Sequence, residues 1–392
     1  MRPQTPPFII HDLQDSQMFA LAQAAGRAGF TVHGLASWQA PWIELSRYVS
    51  SCTQVQSLGD VVESVYALHV KQAGLQGVWL PCVDDIAMFT AEFRPFLQDL
   101  GMLALIPSMD SIERADVTQL QDFSGILKIP ETYWLEAEAM AERADVLPYP
   151  CLLKSARGFF RILPHKESLL QALDEQRDDA LLQRVQHYIA GDTSRMATAM
   201  LLFDAHGKVV RGFTGRRLRV ARTQFGAFGE TTAAQAEWIP ELYDGAVALL
   251  EHIGWQGFAE VECKQGEDGQ WYVLEINPRV SGWLCLAEAD GAGFLQAYHA
   301  LCTGSEVLQS CCLQTSRYEY IRMLSAGFHE PDWVGRSDMS QGRWARLRCL
   351  AGDLYQMWKH SPFVVAGAWD AWDRQASWCI IKQNLRQYLG WR

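Results

Sequence analysis

The amino-acid sequence predicts a mixed α/β and α+β protein, in which a parallel, doubly wound sheet at the N-terminus precedes antiparallel strands. Three observations lead to this prediction. Strand-like and helix-like segments alternate through the first 106 residues, pairs of strand-like runs joined by short turns follow, and residues 257–279 have the pattern of a β-hairpin. Regular strand–helix alternation is typical of parallel sheets, whereas strands joined by tight turns pair antiparallel.

The bulk composition is that of a soluble globular protein. The chain has 392 residues, of which 49% are hydrophobic and 20% are charged, and its net charge is -11. This length predicts two to four subdomains. The negative charge argues against nucleic acid as the main partner, because phosphate binding requires a basic face. No run of 18 apolar residues occurs, so we expect no transmembrane segment.

Cysteine and histidine usage indicates a reducing compartment and argues against zinc chemistry. The ten cysteines are scattered without a Cys-x-x-Cys pair, and the ten histidines include no His-Glu-x-x-His. We therefore expect mostly buried thiols in a cytoplasmic protein and no zinc hydrolase. The N-terminus has only a short apolar run before polar residues return, which is not the pattern of a signal peptide.

The first part of the chain has a βαβ rhythm. Strands are predicted at residues 8–10, 31–35, 77–80 and 102–106, and helices at 16–27, 58–73 and from after 85 to about 100. Apolar residues in the helices recur at helical spacing, and Gly29 stops the first helix. The first strand–helix turn, residues 11–14, has no Gly-x-Gly-x-x-Gly, so dinucleotide binding is not predicted.

The next stretch contains a lysine in an unusual place. Helices are predicted at 111–123, before 144 and at 166–175, and strands near 149–154 and 180–186. Lys154 ends an apolar strand and precedes a short turn, residues 155–158, which brings backbone N–H groups and two cations toward an anion such as phosphate. The alternative is a strand-end lysine whose ammonium reaches water.

A basic segment follows two further predicted strands, at 198–203 and 209–214. Five arginines lie within twelve residues: Arg211, Arg216, Arg217, Arg219 and Arg222. In an extended chain Arg217 and Arg219 share one face, and two guanidinium groups on one face suit a carboxylate or a phosphate. The alternative is a solvated basic edge strand. A loop at 226–229 and a helix over 233–252 are predicted next.

Acidic residues face each other in the predicted hairpin. Asp268-Gly269 is typical of a two-residue type I′ turn, and this turn places Glu262 opposite Glu275 and Glu260 opposite Asn277. Like charges directly opposite destabilise a sheet. Glu262, Glu275 and Asn277 form the kind of oxygen cluster that binds Mg²⁺. The alternative is a hairpin with its carboxylates on a solvated face, one of them near Lys264.

These segments together resemble the ATP-grasp superfamily, and most of all its carboxylate-amine ligases, over residues 8–300. The most specific motif is the hairpin, Gly-x-x-x-Val-Glu at 257–262 and Leu-Glu-Ile-Asn-Pro-Arg at 274–279. The lysine strand, 149–154, and the segment 185–192, which resembles the family's adenine-binding linker, have the right order and spacing. The resemblance implies an N-terminal Rossmann-like domain (1–107), a small lid (108–190), a large subdomain with the metal site (191–307) and a basic, Trp-rich C-terminal region (308–392).

The resemblance also implies roles for individual residues. Glu262, Glu275 and Asn277 would hold Mg²⁺, or Mn²⁺, on the phosphates of ATP. Lys154 would contact the α- and β-phosphates. The remaining nucleotide contacts would come from Arg157 on the lid turn, from Gln186 at the adenine amino edge, from the backbone of His187, Tyr188 and Ile189, and from Asp192 or Thr193 at the ribose. Arg279 and Arg219 would stabilise the transferred phosphoryl group or bind a substrate carboxylate.

The sequence departs from the family pattern in the lid. The family usually has an early lysine there, but residues 114–118 contain none. Only one glycine, Gly158, follows the lysine strand, and Gln186-His187 stands where an acidic residue is frequent. Arg157 or Arg161 is a candidate to replace the missing lysine charge.

The resemblance predicts an ATP-dependent ligase that joins a small-molecule carboxylate to an amine through an acyl phosphate. The alternatives are a catalytically weak ATP-binding regulatory protein, and phosphoryl transfer or carboxylation without an amine. A homodimer is one possible assembly. Residues 343–392 carry eight Lys or Arg against three Asp, together with six tryptophans. We expect a helical subdomain there, and the alternative is a surface for an anionic partner or membrane face.

Overall fold

The computed structural model describes residues 5–71, 76–155, 160–175, 183–222, 228–307, 311–313, 315–321, 364–366 and 373–389. Three sheets organise these residues: one of five strands, one of four and one of eight. The first is parallel and the second antiparallel, and the third is mainly antiparallel. The predicted α/β and α+β fold class is therefore confirmed. Arg157 and most of the C-terminal region lie outside the described residues.

The N-terminal part is a parallel sheet flanked by helices. Its elements in chain order are β1 (Phe8–Ile10), α1 (Ser16–Arg27), β2 (Val32–Ala36), α2 (Pro41–Leu45), β3 (Val49–Gln54), α3 (Leu58–Lys71), β4 (Gly77–Leu80), α4 (Asp84–Glu92), α5 (Arg94–Asp99) and β5 (Met102–Leu103). The strand order is β3-β2-β1-β4-β5, so the direction of winding reverses between β1 and β4. Ligands bind at such a switch point in open α/β sheets.

The sequence did not predict α2 and β3. The strand β3 has the polar sequence VSSCTQ and lies largely exposed at the edge of the sheet. It therefore lacks the apolar pattern on which strand prediction depends.

A small antiparallel sheet follows, with the strand order β6-β9-β7-β8. The elements of this part are α6 (Met109–Arg114), β6 (Thr132–Leu135), α7 (Ala137–Glu142), β7 (Cys151–Ser155), β8 (Phe160–Leu163), α8 (Lys166–Glu175) and β9 (Gln183–His187). The predicted helix over 111–123 is wrong beyond Arg114. The Asp116 carboxylate accepts hydrogen bonds from the N–H and hydroxyl of Thr118, and such local bonds compete with helix formation.

The large sheet contains the hairpin. The elements of this part are a 3₁₀ turn (Thr193–Arg195), β10 (Met196–Phe203), β11 (Val209–Arg222), β12 (Phe228–Glu237), α9 (Pro240–His252), β13 (Gly257–Gln265), β14 (Trp271–Asn277), α10 (Leu284–Ala289), α11 (Phe294–Cys302), β15 (Cys311–Leu313), β16 (Thr315–Ile321), β17 (Val364–Ala366) and α12 (Arg374–Leu389). The strand order is β14-β13-β10-β11-β12-β16-β17, and β15 pairs with β11.

The helix predicted over 233–252 begins only at Pro240. The preceding residues form β12, and Ala234 is fully buried where β12 pairs with β11. Pairing on both sides, with β11 and β16, outweighs the helical propensity of this Ala-rich segment. The prediction of a loop at 226–229 is also wrong for Phe228 and Gly229, which open β12.

One hydrophobic core joins the parallel sheet to the large sheet. Phe8 in β1, Phe213 in β11, and Phe294 and Tyr298 in α11 are all fully buried in it. The Tyr298 hydroxyl also donates a hydrogen bond to the carbonyl oxygen of Trp79, at 2.8 Å. The shared core sets the position of the hairpin relative to the C-terminal ends of β1 and β4.

The C-terminal helix α12 packs against the N-terminal part. Asp373, just before the helix, is buried, and its carboxylate accepts hydrogen bonds from the Gln23 amide (3.0 Å), the Ser46 hydroxyl (2.5 Å) and the Arg47 N–H (3.0 Å). Besides this helix, the described residues after 307 contribute three short strands that the sequence did not predict. Within the described ranges, no helix has both the length and the apolar character that crossing a bilayer requires.

Candidate active site

A cleft of about 640 Å³ opens where the three sheets meet. The loops after β1 and β4 line one side, with Asp12 and Asp84. The small sheet presents Lys154, and the hairpin presents Glu262 and Glu275. The cleft thus lies at the switch point of the parallel sheet and also contains the two acidic residues predicted to face each other.

The register of the hairpin agrees with the prediction at the acidic residues. Glu262 pairs with Glu275, and Glu260 pairs with Asn277. The two-residue turn, however, is wrong: β13 ends at Gln265 and β14 begins at Trp271, so the loop has five residues. A bulge after Glu262 shifts the pairing by one residue and compensates for the longer loop.

Glu262 is held by an arginine that the sequence did not assign to this role. The Arg217 guanidinium lies 2.5 Å from the Glu262 carboxylate, and the Arg217 side chain is only 8% exposed. Arg217 also lies over the Trp283 ring and lines the cleft. A bulge in β11 between Arg217 and Arg219 disturbs the alternation that placed both on one face. The Arg219 side chain lies outside the described part, and its role stays a prediction.

Glu260 organises the far end of the hairpin. Its buried carboxylate accepts hydrogen bonds from the Asn277 amide (3.3 Å), the Arg279 guanidinium (2.8 Å) and the Ser281 hydroxyl (2.6 Å). Arg279 also lies 3.1 Å from the Asp84 carboxylate. Although burial opposes its charge, these two carboxylates raise the pKa of Arg279. Glu260 shares a face with Glu262 by the period of two, so the alternation could have indicated its role.

The donor set at the hairpin suits a divalent cation. Desolvation and the facing Glu262 carboxylate raise the pKa of Glu275, although Glu275 itself is exposed to the open cleft. A bound cation would relieve this repulsion. Asn277, by contrast, is buried and does not line the cleft in the described part, and its amide nitrogen donates to Glu260. Only its amide oxygen remains as a donor to a metal. Among the described residues, no three His, Cys, Asp or Glu side chains cluster in a way that could hold a metal ion, so a metal here would depend on the two carboxylates together with the Asn277 amide oxygen.

Lys154 reaches the cleft from near the C-terminal end of strand β7. Burial, followed by the charge of Arg184, lowers the pKa of Lys154 to about 8, while Glu275 and Glu262 oppose this shift. A lysine with this pKa is still mainly protonated at neutral pH. Lys154 therefore presents a cation opposite the acidic hairpin.

Gln186, His187, Tyr188 and Ile189, which the resemblance places at the adenine, all line the cleft. Gln186 is buried and donates to the Thr132 hydroxyl at 3.2 Å. The backbone N–H groups of His187 and Tyr188 already donate to carbonyls of the protein, at 2.8 and 2.9 Å. Of the three predicted backbone N–H donors, this leaves the Ile189 N–H, which has no acceptor among the described residues.

The structure does not bring Asp192 and Thr193 to the wall of the cleft. The Asp192 carboxylate accepts hydrogen bonds from the N–H and hydroxyl of Ser194 and caps the 3₁₀ turn, and Thr193 is buried. Neither lines the cleft in the described part. Lys264 lines it instead, with its ammonium 5.0 Å from the centre of the Tyr188 ring. Burial lowers the pKa of Lys264 to about 8. The sequence did not assign Lys264 to the site.

Comparisons with solved structures show that other proteins share this fold. The biotin carboxylase domain of Hydrogenobacter thermophilus 2-oxoglutarate carboxylase, in complex with MgADP, ADP and bicarbonate, superposes with a TM-score of 0.58 at 15% identity, over 78% of this chain and 72% of that one. An L-amino acid ligase from Bacillus licheniformis gives 0.55 at 15% identity, over 76% of each chain. A phosphoribosylglycinamide synthetase from Anaerococcus prevotii gives 0.53 at 13% identity, over 77% and 76%.

The likeness is one of structure. No protein-family model matches the chain, and no curated protein matches it by sequence. At these identities the shared feature is the fold.

Proposed function

We propose, from the ATP-grasp fold of this chain, that it is an ATP-dependent ligase. It would join a carboxylate to an amine through an acyl phosphate and release ADP and phosphate. The observation that carries the proposal is the placement of Glu262 opposite Glu275 in a cleft that also receives Lys154. Two facing carboxylates and a cation opposite them suit a metal-bound nucleotide.

The nucleotide would bind between the small sheet and the hairpin. The apolar side chains that line this region suit a base: Leu152, Ile162, Met196 and Leu274. The Ile189 N–H would donate to the adenine ring, and Lys154 would contact the phosphates. A structural neighbour was solved with MgADP, which supports a Mg²⁺-nucleotide in this cleft.

Glu262, Glu275 and Asn277 would hold Mg²⁺. The ion would neutralise part of the charge on the phosphates during transfer. Arg217 lines the cleft, and its buried Nε has no hydrogen-bond partner within the described ranges. Arg217 therefore suits the role that the resemblance gave to Arg219, the binding of the transferred phosphoryl group or of a substrate carboxylate.

The remaining residues would position the reactants. A free carboxylate does not react with an amine at neutral pH, because oxide would have to leave. The acyl phosphate replaces this leaving group with phosphate. Arg279 is fixed between Glu260 and Asp84, so it is preorganised to stabilise charge in the first step.

Carboxylation is the second candidate. The observation that favours it is the likeness to biotin carboxylase structures, one of which contains bicarbonate. In that reaction, bicarbonate would be the acid that accepts the phosphoryl group, and no amine would be needed for ADP release.

An ADP-release screen tests the proposal. Carboxylic acids, with bicarbonate among them, are crossed with amines in the presence of MgATP, and the Glu275→Ala variant is measured in parallel. We expect ADP release that requires both an acid and an amine. In the variant, turnover should be at least about 100-fold slower than in the wild type, because a metal ligand is lost. Release with bicarbonate alone would favour carboxylation. Wild-type turnover by the variant would refute the metal assignment.

A further inference from the structure

The small sheet contains a cationic side chain to which the family resemblance assigns no role. In the proteins that the chain resembles, an early lid lysine provides positive charge, and residues 114–118 have none. Here Asp116 occupies this segment, and its carboxylate accepts hydrogen bonds from Thr118 and from the Trp134 indole N–H (3.4 Å). This segment therefore brings an anion to the small sheet, and the positive charge must come from elsewhere.

Arg184 lies directly beside Lys154 on the small sheet. In the central strand β9, Arg184 pairs with Lys154 of β7 on one side and with Trp134 of β6 on the other. Residues paired in an antiparallel ladder project from the same face. Gln186, two residues further along β9, projects from this face as well and lines the cleft. Arg184 thus lies on the same face as Gln186 and Lys154, although it is not among the described residues that line the cleft.

The guanidinium of Arg184 is positioned but not satisfied. It lies over the Trp134 ring, 5.7 Å from the ring centre, and its Nε is buried with no hydrogen-bond partner among the described residues. A buried charged donor that lacks an acceptor is costly. Two cations on paired positions also repel each other, and the charge of Arg184 helps to depress the pKa of Lys154. An anion bound between Arg184 and Lys154 would remove both costs.

Of the two candidates from the sequence for the missing charge, Arg157 lies outside the described residues, and Arg161 faces away from the cleft. Arg161 pairs with Leu153, which is fully buried in the core of the small sheet on the face opposite Lys154. The Arg161 guanidinium forms an ion pair with Glu175 at 2.7 Å. Arg161 is therefore already neutralised and does not face the cleft.

We propose that Arg184, together with Lys154, binds the phosphates of ATP beyond the α-phosphate. The inference rests on the proposed function and extends it to a residue that the resemblance does not assign. Gln186 lies at the base end of the wall, so the position of Arg184 two residues away, about 7 Å along the strand, matches the direction of the phosphate chain. Arg184 supplies the positive charge that the lid lysine would otherwise provide.

Equilibrium binding of MgATP and of AMP to the full chain tests this inference. Arg184→Met keeps an aliphatic chain on Trp134 but removes the charge. We expect MgATP to bind about 10- to 100-fold more weakly, as for the loss of a charged hydrogen bond, with AMP affinity unchanged. Arg184→Lys should recover part of the MgATP affinity. Arg161→Gln, on the opposite face of the same sheet, is the matched control and should bind both nucleotides as the wild type does.

The outcomes separate this inference from the proposed function. If the wild type does not bind MgATP, the proposed function fails. If the wild type binds MgATP and Arg184→Met binds it equally well, only the role of Arg184 fails. Equal losses of MgATP and AMP affinity would show a purely structural role and also overturn the inference. If Arg184→Met does not fold, as judged by its thermal transition, Arg184→Gln is measured with the same expected values.

Discussion

The two walls of the cleft carry opposite charge, and their charged groups find partners in different ways. On the hairpin wall, the protein itself binds two of the three carboxylates, since Glu260 receives three side-chain hydrogen bonds and Glu262 is paired with Arg217. The third, Glu275, faces Glu262. On the wall formed by the small sheet, Lys154 and Arg184 are adjacent, and the Nε of Arg184 has no hydrogen-bond partner in the described part of the chain. The hairpin is therefore preorganised by the protein, whereas the cationic wall would be completed by an anionic ligand.

The largest expected effect is the loss of the internal pairing on the hairpin. Glu260→Gln removes the charge that holds Arg279, Asn277 and Ser281 and leaves Arg279 with one anionic partner. We expect unfolding free energy to fall by about 3–5 kcal/mol, as when one partner of a buried ion pair is removed. Urea denaturation measures this loss. Glu267→Gln, exposed in the hairpin loop, is the control and should change stability little. An equally small loss in Glu260→Gln would mean that the Glu260 carboxylate does not stabilise the hairpin.

The cationic wall should respond to pH in a way that the hairpin does not. The pKa of Lys154 lies at about 8, below its usual value, so Lys154 loses its proton as pH rises through 8. MgATP affinity should fall roughly tenfold from pH 7 to pH 9, because the cation disappears. Lys154→Arg keeps its charge over this range and should show a flatter profile.

The same shift affects stability with a definite sign. The folded-state pKa of Lys154 lies below the unfolded value, so between these values the unfolded chain binds more protons. The contribution of Lys154 to stability therefore increases as pH rises from about 8 toward the unfolded pKa, and the loss of ATP affinity above pH 8 would not reflect unfolding. A matching loss of affinity in Lys154→Arg would assign the titration to another group, of which Lys264, with its pKa also lowered to about 8, is the first to test.

The smallest expected effect is a difference in stability between variants of the two facing carboxylates. Glu275→Gln relieves the like-charge pair and should stabilise the protein without ligand by up to about 1 kcal/mol. Glu262→Gln should instead destabilise it, because Arg217 loses its partner. Chemical denaturation of the two variants without Mg²⁺ measures the contrast. Shifts of the same sign in both variants would show that Arg217 does not distinguish the two carboxylates.

Local sequence patterns were sufficient to predict those features of the structure that residues close together in the sequence determine. The βαβ rhythm of the first 106 residues, the pairing of Glu262 with Glu275 and the place of Lys154 at a strand end all follow from periodicity over a few residues. The motif order identified the fold for the same reason, since each motif is one strand or one turn. The predicted pairing of Glu262 with Glu275 is correct although the predicted turn is wrong, because a bulge after Glu262 shifts the register by one residue.

Contacts between distant segments decided the rest. In the folded chain Arg217 of β11 meets Glu262 of β13 at the cleft, and pairing with β11 and β16 makes residues 233–237 a strand. The linker N–H groups of His187 and Tyr188 are used by carbonyls from another part of the chain. By itself, the sequence determined the fold class and the acidic pair. Tertiary structure determined which charges have partners, because a charge is satisfied or left unpaired only by groups that folding brings from elsewhere.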